Sequence, residues 1–340
     1  MQSTRRGLLA SLTLASLAVG LPITGAAAQT KEVTFAHQDM IVPFRVLMAK
    51  GEIEKATGYK INWKMFGGGG DVIKAMASSE VPIGEVGSSP ATAAASQGLD
   101  VQVIWLLDDI GNAEQLVARN GSGINSLADL KGKKVATPFV STAHYQLLAA
   151  LNDAKVNAKE VQILNMRPPE VAAAWERGDI DATFIWDPVL TKVKGNGKVV
   201  ISSGDIAKLG KPTFDAIMVN KAWAEKNQDF VTKLIAAIAK QDADYNAAKA
   251  KWTADSEDVK AVAKIVGAKP EDVPAAMAAY NFPSAKEQAS NTWLGGGKDG
   301  GVAKAMADTA NFLKEQGRIT AVAPDYSAFV NPTYAAAAAK

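Results

Sequence analysis

The sequence predicts an α/β protein of two lobes with a cleft between them. Two observations carry that prediction. Short apolar segments rich in β-branched residues alternate with segments of helical spacing over residues 33–219, the pattern of a mostly parallel sheet covered by helices. Two strand-to-helix corners, one in each half of that span, deliver hydroxyl residues to a helix start: Gly87-Ser88-Ser89-Pro90, and Pro138 through Ser141 to Thr142. The first turn of a helix carries unpaired N–H groups and about half a unit of positive charge. Each corner is therefore a ready anion pocket without any Arg or Lys. Alone, such a serine is ordinarily only a helix cap. Two corners at strand carboxyl ends, where open α/β sheets bind ligands, suggest two jaws of one site.

In chain order, residues 33–36 read as a strand, followed by His37-Gln38-Asp39. Residues 43–57 read as one helix with Phe44, Leu47, Met48 and Ile53 on a face, ending at Gly58. Residues 59–66 alternate as a second strand. Gly67 to Gly70 form a flexible corner, and Asp71 caps a helix over 72–79. The run lacks the Gly-Lys-Ser/Thr ending of a phosphate loop and reads as a corner lining the cleft. Residues 83–86 and 101–107 are strands, with a helix over 91–97 between them. Residues 115–119 read as the first crossing between lobes. Strands at 134–137, 161–164, 180–186 and 198–202 follow, alternating with helices, and 213–219 reads as the second crossing. Beyond Lys221 helical spacing dominates, over 228–252, 257–266, 271–280 and 302–316.

Residues 1–28 stand apart. Arg5 and Arg6 precede an apolar run, and Ala26-Ala27-Ala28 before Gln29 fits a small-residue cleavage site, so the segment reads as a secretory signal peptide. The run is short for a membrane span, and Pro22 and Gly25 interrupt its end. The arginine pair leaves both Sec and twin-arginine export open. The rest of the chain is long enough for two lobes with a large core. Residues 1–28 hold two basic residues and no acids, so the remainder balances 35 basic against 35 acidic residues. Zero net charge argues against nucleic acid or an anionic membrane as partner. The absence of cysteine excludes disulfides, a thiolate nucleophile and a cysteine–metal site.

The acids at the crossings are more informative. Glu114 precedes one apolar strand and Asp215 sits inside another, Phe214-Asp215-Ala216-Ile217-Met218-Val219. A carboxylate there is costly unless paired. Either each meets a lysine in a structural ion pair, or both face the cleft floor and receive a ligand ammonium. Asp179 and Asp181 read as solvated turn residues. The two histidines, His37 and His144, lie in no metal-ligand spacing. His144 shares a helical turn with Ser141, the wrong arrangement for a hydrolytic triad, and no G-x-S-x-G elbow is present. Trp105, Phe139, Tyr145 and Trp186 lie near the corners. Most such aromatics are core, and one or two cover the apolar part of a small ligand.

Taken together, these residues resemble the periplasmic substrate-binding proteins of taurine ABC importers, within the wider group for nitrate, aliphatic sulfonates and thiamine precursors. The likeness runs from about Val33 to Tyr334. It rests on Ile83-Gly84 with Gly87-Ser88-Ser89-Pro90, on Gly111-Asn112-Ala113-Glu114, and on Pro138-Phe139-Val140-Ser141-Thr142-Ala143-His144-Tyr145. It rests also on Ala173-Ala174-Trp175-Glu176-Arg177-Gly178-Asp179-Ile180-Asp181, Pro212-Thr213-Phe214-Asp215 and Phe312-Leu313-Lys314-Glu315-Gln316-Gly317. Three positions depart from the taurine members: His37 stands where a Tyr is frequent, the corner after the second strand is four glycines, and Asp187 follows Trp186 where a small residue is usual.

The resemblance implies a periplasmic binding protein of type II, with two α/β lobes joined by two crossings, no catalysis and no cofactor. It implies a monomer in the periplasm that delivers its ligand to an inner-membrane permease and ATPase. The expected organisation is a signal peptide over 1–28, a first lobe built from 29–115 and 217–340, and a second lobe over 116–216. The expected ligand is taurine, a sulfonate and an ammonium separated by two methylenes. Ser88, Ser89, Ser141 and Thr142, with Gln38, are expected on the sulfonate, Glu114 and Asp215 on the ammonium, and Trp186 on the methylenes. The alternatives are another aliphatic sulfonate, or a thiamine-precursor binder or pyrimidine-forming enzyme of the same fold.

Overall fold

Alternating apolar segments pair into ten strands among the described residues: β1 (Glu32–His37), β2 (Lys60–Met65), β3 (Ile83–Gly87), β4 (Val101–Asp109), β5 (Gln115–Arg119), β6 (Lys134–Thr137), β7 (Gln162–Asn165), β8 (Ala182–Ile185), β9 (Gly197–Ser202) and β10 (Phe214–Asn220). This computed structural model describes residues 31–340; the expected signal peptide, residues 1–28, lies outside the described residues. The strands form two five-stranded sheets, in the orders β2-β1-β3-β10-β4 and β7-β6-β8-β5-β9.

The two orders are the same order. In each sheet the outermost strand, its predecessor and the next are parallel: β1 pairs parallel with β2 and β3, and β6 with β7 and β8. The fourth place is taken by an antiparallel strand that has just arrived from the other sheet, β10 in the first and β5 in the second. The chain changes sheet between β4 and β5 and again between β9 and β10, so the expected α/β architecture of two sheets with two crossings is what the chain forms. This topology brings the carboxyl ends of β1, β3, β6 and β8 and the leading ends of β5 and β10 to one region.

Burial explains the elements. All five residues of β3 are buried, and so are the first six residues of β10. Strands covered on both faces read as continuous apolar runs. The late helices complete the first lobe's packing: Gly301–Glu315 lies against Ser88–Ser96, and Gln228–Ala247 against Glu52–Thr57. The single helix expected over 43–57 is two, Phe44–Lys50 and Glu52–Thr57, because Gly51 adopts φ 62° and its N–H closes on the Leu47 and Met48 carbonyls. The helix after β2 starts earlier than expected, at Gly69, so Asp71 lies in its first turn rather than at its cap. The helix expected over 228–252 stops at Ala247.

Candidate functional site

A narrow cavity of about 10 Å³ lies where the strand ends converge, lined by Gln38, Met40, Gly69, Gly87, Pro90, Glu114, Ser141, Thr142, Trp186, Asp215 and Tyr280. Gln38 follows β1, Gly87 ends β3, Ser141 and Thr142 follow β6, and Trp186 follows β8. Glu114 and Asp215 stand at the heads of the two crossing strands. Six of the eight residues expected to contact a ligand therefore line one cavity. Ser88 and Ser89 are buried but do not line it. Ser88 Oγ faces the Phe214 N–H at 3.5 Å. Their neighbours Gly87 and Pro90 form that wall instead. A Cβ on Gly87 would sit 2.5 Å from Thr142 Cγ2 and 3.1 Å from Asp215 Oδ1, so only glycine leaves the floor open.

The two helix starts differ in how their donors are used. No side chain caps Ser88–Ser96, leaving first-turn N–H groups available to an anion. At Thr142–Asp153 the cap is Ser141, whose Oγ accepts from His144 N at 3.0 Å and donates to the Pro138 carbonyl at 2.6 Å. That hydroxyl is committed to the corner. Thr142 Oγ1 donates to Glu114 Oε1 at 2.6 Å.

The acids have no lysine. Glu114 is 4% exposed, and its Oε2 has no partner. Burial, then the neighbouring Asp215, pushes its carboxyl up to about 8. Burial, then Glu85, pushes Asp215 up to about 7. Among the described residues neither forms an ion pair. Among the described residues no group of acids and histidines has the geometry to hold a metal ion.

Trp186 lines the cavity and also spans it. Its indole N–H donates to Asp39 Oδ1 at 2.9 Å, joining the loop after β8 to the loop after β1. A second bridge closes the rim: Arg167 Nε and Nη2 reach Asp71 Oδ2 at 2.9 and 2.8 Å. The glycine corner permits this approach, since a Cβ on Gly67 would lie 2.8 Å from Arg167 Cδ. Asp187 accepts from Thr191 N at 2.8 Å, in the first turn of the next helix, and does not line the cavity. His144 is buried and stacks on Phe139 with ring centroids 4.4 Å apart. Burial, then Arg318, lowers its imidazole to about 3, so it is neutral.

Sequence reasoning missed the support behind Gln38. Arg45 and Glu85, both fully buried, form a two-pronged ion pair with Nη1–Oε2 and Nη2–Oε1 at 2.7 Å each. Arg45 also donates to the carbonyls of Gln38 at 2.9 Å and Met40 at 3.1 Å, while the Gln38 N–H donates to Glu85 at 3.2 Å. The loop is thus held from beneath. Arg45 within Phe44-Arg45-Val46-Leu47-Met48 and Glu85 within Ile83-Gly84-Glu85-Val86 were the available signals: charges inside apolar runs. Tyr280, between helical segments far along the chain, carried none.

Residues 50–248 match the family described as NMT1/THI5 like. The chain belongs to the NMT1/THI5-like family. Within reach of that assignment, the taurine-binding periplasmic protein of Escherichia coli (strain K12) is 36% identical over 307 residues, 90% of this chain and 93% of that protein. Among solved structures, the alkanesulfonate-binding protein SsuA from Xanthomonas axonopodis pv. citri bound to MOPS matches with TM-score 0.70 at 22% identity, over 86% of this chain and 96% of that one. The periplasmic aliphatic sulphonate binding protein SsuA from Escherichia coli matches with TM-score 0.67 at 22% identity, over 88% and 92%. These two likenesses show the two-lobed fold.

Proposed function

We propose that this family member is the solute-binding component of an ABC importer, that it works in the periplasm, and that its ligand is taurine. It is a binding protein and not an enzyme. The observation that carries the ligand assignment is the meeting of Glu114 and Asp215, both buried without a cation, with two helix starts on one cavity. A ligand with one cationic and one anionic end satisfies both features. The resemblance to the taurine-binding protein of Escherichia coli supports the same choice.

In the proposed complex the sulfonate points at the uncapped helix start behind Gly87, at Ser88 and Ser89, and takes the N–H groups at Ser141 and Thr142, with the Gln38 amide as a further donor. The ammonium takes Asp215 and Glu114 by charge-assisted bonds, each contributing about 1.5–3 kcal/mol. Trp186 covers the methylenes. Residues 29–115 and 217–340 form one lobe and 116–216 the other, closing on the ligand as a monomer. Loss of water on closure strengthens both polar ends. The closed form is handed to a membrane permease and its ATPase, and the expected signal peptide over 1–28 accounts for export.

A thermal-shift screen of taurine, alkanesulfonates, thiamine precursors and nitrate tests this reading. Taurine is expected to give the largest shift. A larger shift with a thiamine precursor or with nitrate would overturn the ligand assignment.

A further inference from the structure

Behind Asp215 lies a carboxyl that the ligand reading does not use. Asp108, near the end of β4, is 0% exposed, and neither of its side-chain oxygens receives a hydrogen bond from an N–H or hydroxyl group. Asp108 and Asp215 are register partners on antiparallel strands, so their side chains leave the same face of the sheet. The register shifts between Asp215 and Ala216, which pair with Asp108 and Leu106. Such a bulge re-aims a side chain.

The surroundings of Asp108 hold no cation. Burial acts on it first, and the charged groups that add to that are Asp215 on β10, Asp109 on its own strand and Glu85 on β3, all acids. Tyr280, from the segment after β10, also faces this group of acids. The buried guanidinium that acts on Asp215 is Arg45, and both its prongs are taken by Glu85. An ionised carboxylate buried with no partner costs several kcal/mol, whereas a protonated one is a donor. Two carboxyls side by side retain one proton between them.

We infer that Asp108 is a positioning residue: it holds that proton and donates it to Asp215, so that the pair offers the ligand one negative charge in a fixed orientation. The inference rests on Asp215 being the ammonium acceptor. It adds why two neighbouring strands pair acids at the place of one ligand cation. The donated hydrogen bond stabilises ionised Asp215, in keeping with the Asp108 side chain drawing the Asp215 pKa down against burial and Glu85. The ammonium then meets an oriented carboxylate rather than a mobile one, and a second buried negative charge is avoided.

The test compares Asp108→Asn, Asp108→Ala and Asp215→Asn in the full chain. The first readout is the infrared difference between wild type and Asp108→Asn with taurine bound at neutral pH. A protonated-carboxyl stretch that disappears in the variant is expected; loss of an ionised-carboxylate band instead overturns the inference. The second readout is taurine affinity against pH. Asp108→Asn keeps a donor, so its affinity should stay within a few-fold of wild type with the same pH profile. Asp108→Ala should lose about 10- to 100-fold, the range of a hydrogen bond to a charged group, with its acid limb moved to higher pH. Equal losses in the Asn and Ala variants overturn it. Asp108→Ser, also a donor, replaces Asp108→Asn if that variant does not fold. Unchanged taurine affinity in Asp215→Asn sinks the ammonium reading, while the infrared band still decides where the proton sits.

Discussion

Trp186 and Asp39 are joined across the cavity by an indole N–H to carboxylate bond of 2.9 Å. One residue follows a strand of the second sheet, the other a strand of the first, so the bond exists only with the two sheets brought together. Asp39 has its carboxyl raised by burial, and the Trp186 bond opposes that. Trp186→Phe keeps an aromatic ring and removes the donor. Taurine affinity in this variant should fall about tenfold, the value of one hydrogen bond to a charged group, and the ligand-free melting temperature should fall too, because Asp39 loses its donor. Calorimetric titration and a melting curve on one preparation check both halves.

The Arg45–Glu85 pair should behave differently. Removing one partner of a fully buried ion pair leaves a stranded charge and costs about 3–5 kcal/mol. Arg45→Met should therefore lower the urea midpoint strongly. The double replacement Arg45→Met with Glu85→Met should recover much of that stability, because no charge is stranded. It should not recover taurine affinity, since the Gln38 and Met40 carbonyls lose their anchor. Urea unfolding with parallel titrations separates the two effects.

The raised carboxyls give a pH dependence with a definite sign. Glu114 rises from 4.5 to about 8, and Asp215 from 3.8 to about 7, in the closed, ligand-free arrangement. Between the ordinary and raised values this form binds more protons than the unfolded chain, so its stability falls as pH rises. Ligand-free melting temperature should decline from about pH 4.5 to about pH 8, and Glu114→Gln should flatten the decline. Taurine supplies the missing cation and should flatten it as well. Scanning calorimetry across that window provides the check.

Gly87→Ala tests the floor of the site. Its backbone, φ −71° and ψ 163°, is open to alanine, so the fold should be preserved. The added methyl meets Thr142 and Asp215 and occupies space the ligand needs. Near-complete loss of taurine binding is expected, with a melting temperature lowered by the overlap with Thr142, read by titration and thermal unfolding.

Much of this site was legible along the chain because its parts are local. Ser141 does what an N-cap serine does, accepting from His144 N, and the strand-to-helix corners are continuous segments. Asp215 was found because a carboxylate inside an apolar strand demands a partner. The same test applied to Glu85 and Arg45 finds their ion pair, Glu85 in the strand that leads into Gly87-Ser88 and Arg45 in the first helix. The hydroxyls were read too simply: Ser141 and Ser88 spend theirs on the protein, which sequence spacing does not reveal. Gly51 ended a helix that periodicity alone carried through. Tyr280 reaches the cavity only through the packing of the late segments, and no local pattern marks it.

The central claim is that the cleft selects a ligand with an ammonium as well as a sulfonate. Isothermal titration of taurine and ethanesulfonate into the same protein addresses it most directly. Ethanesulfonate lacks the amine and strands Glu114 and Asp215 without a cation. Taurine should bind at least about tenfold more tightly, in line with a charge-assisted hydrogen bond, and Asp215→Asn should erase most of that preference. Equal affinities for the two sulfonates in the wild-type protein would contradict the account.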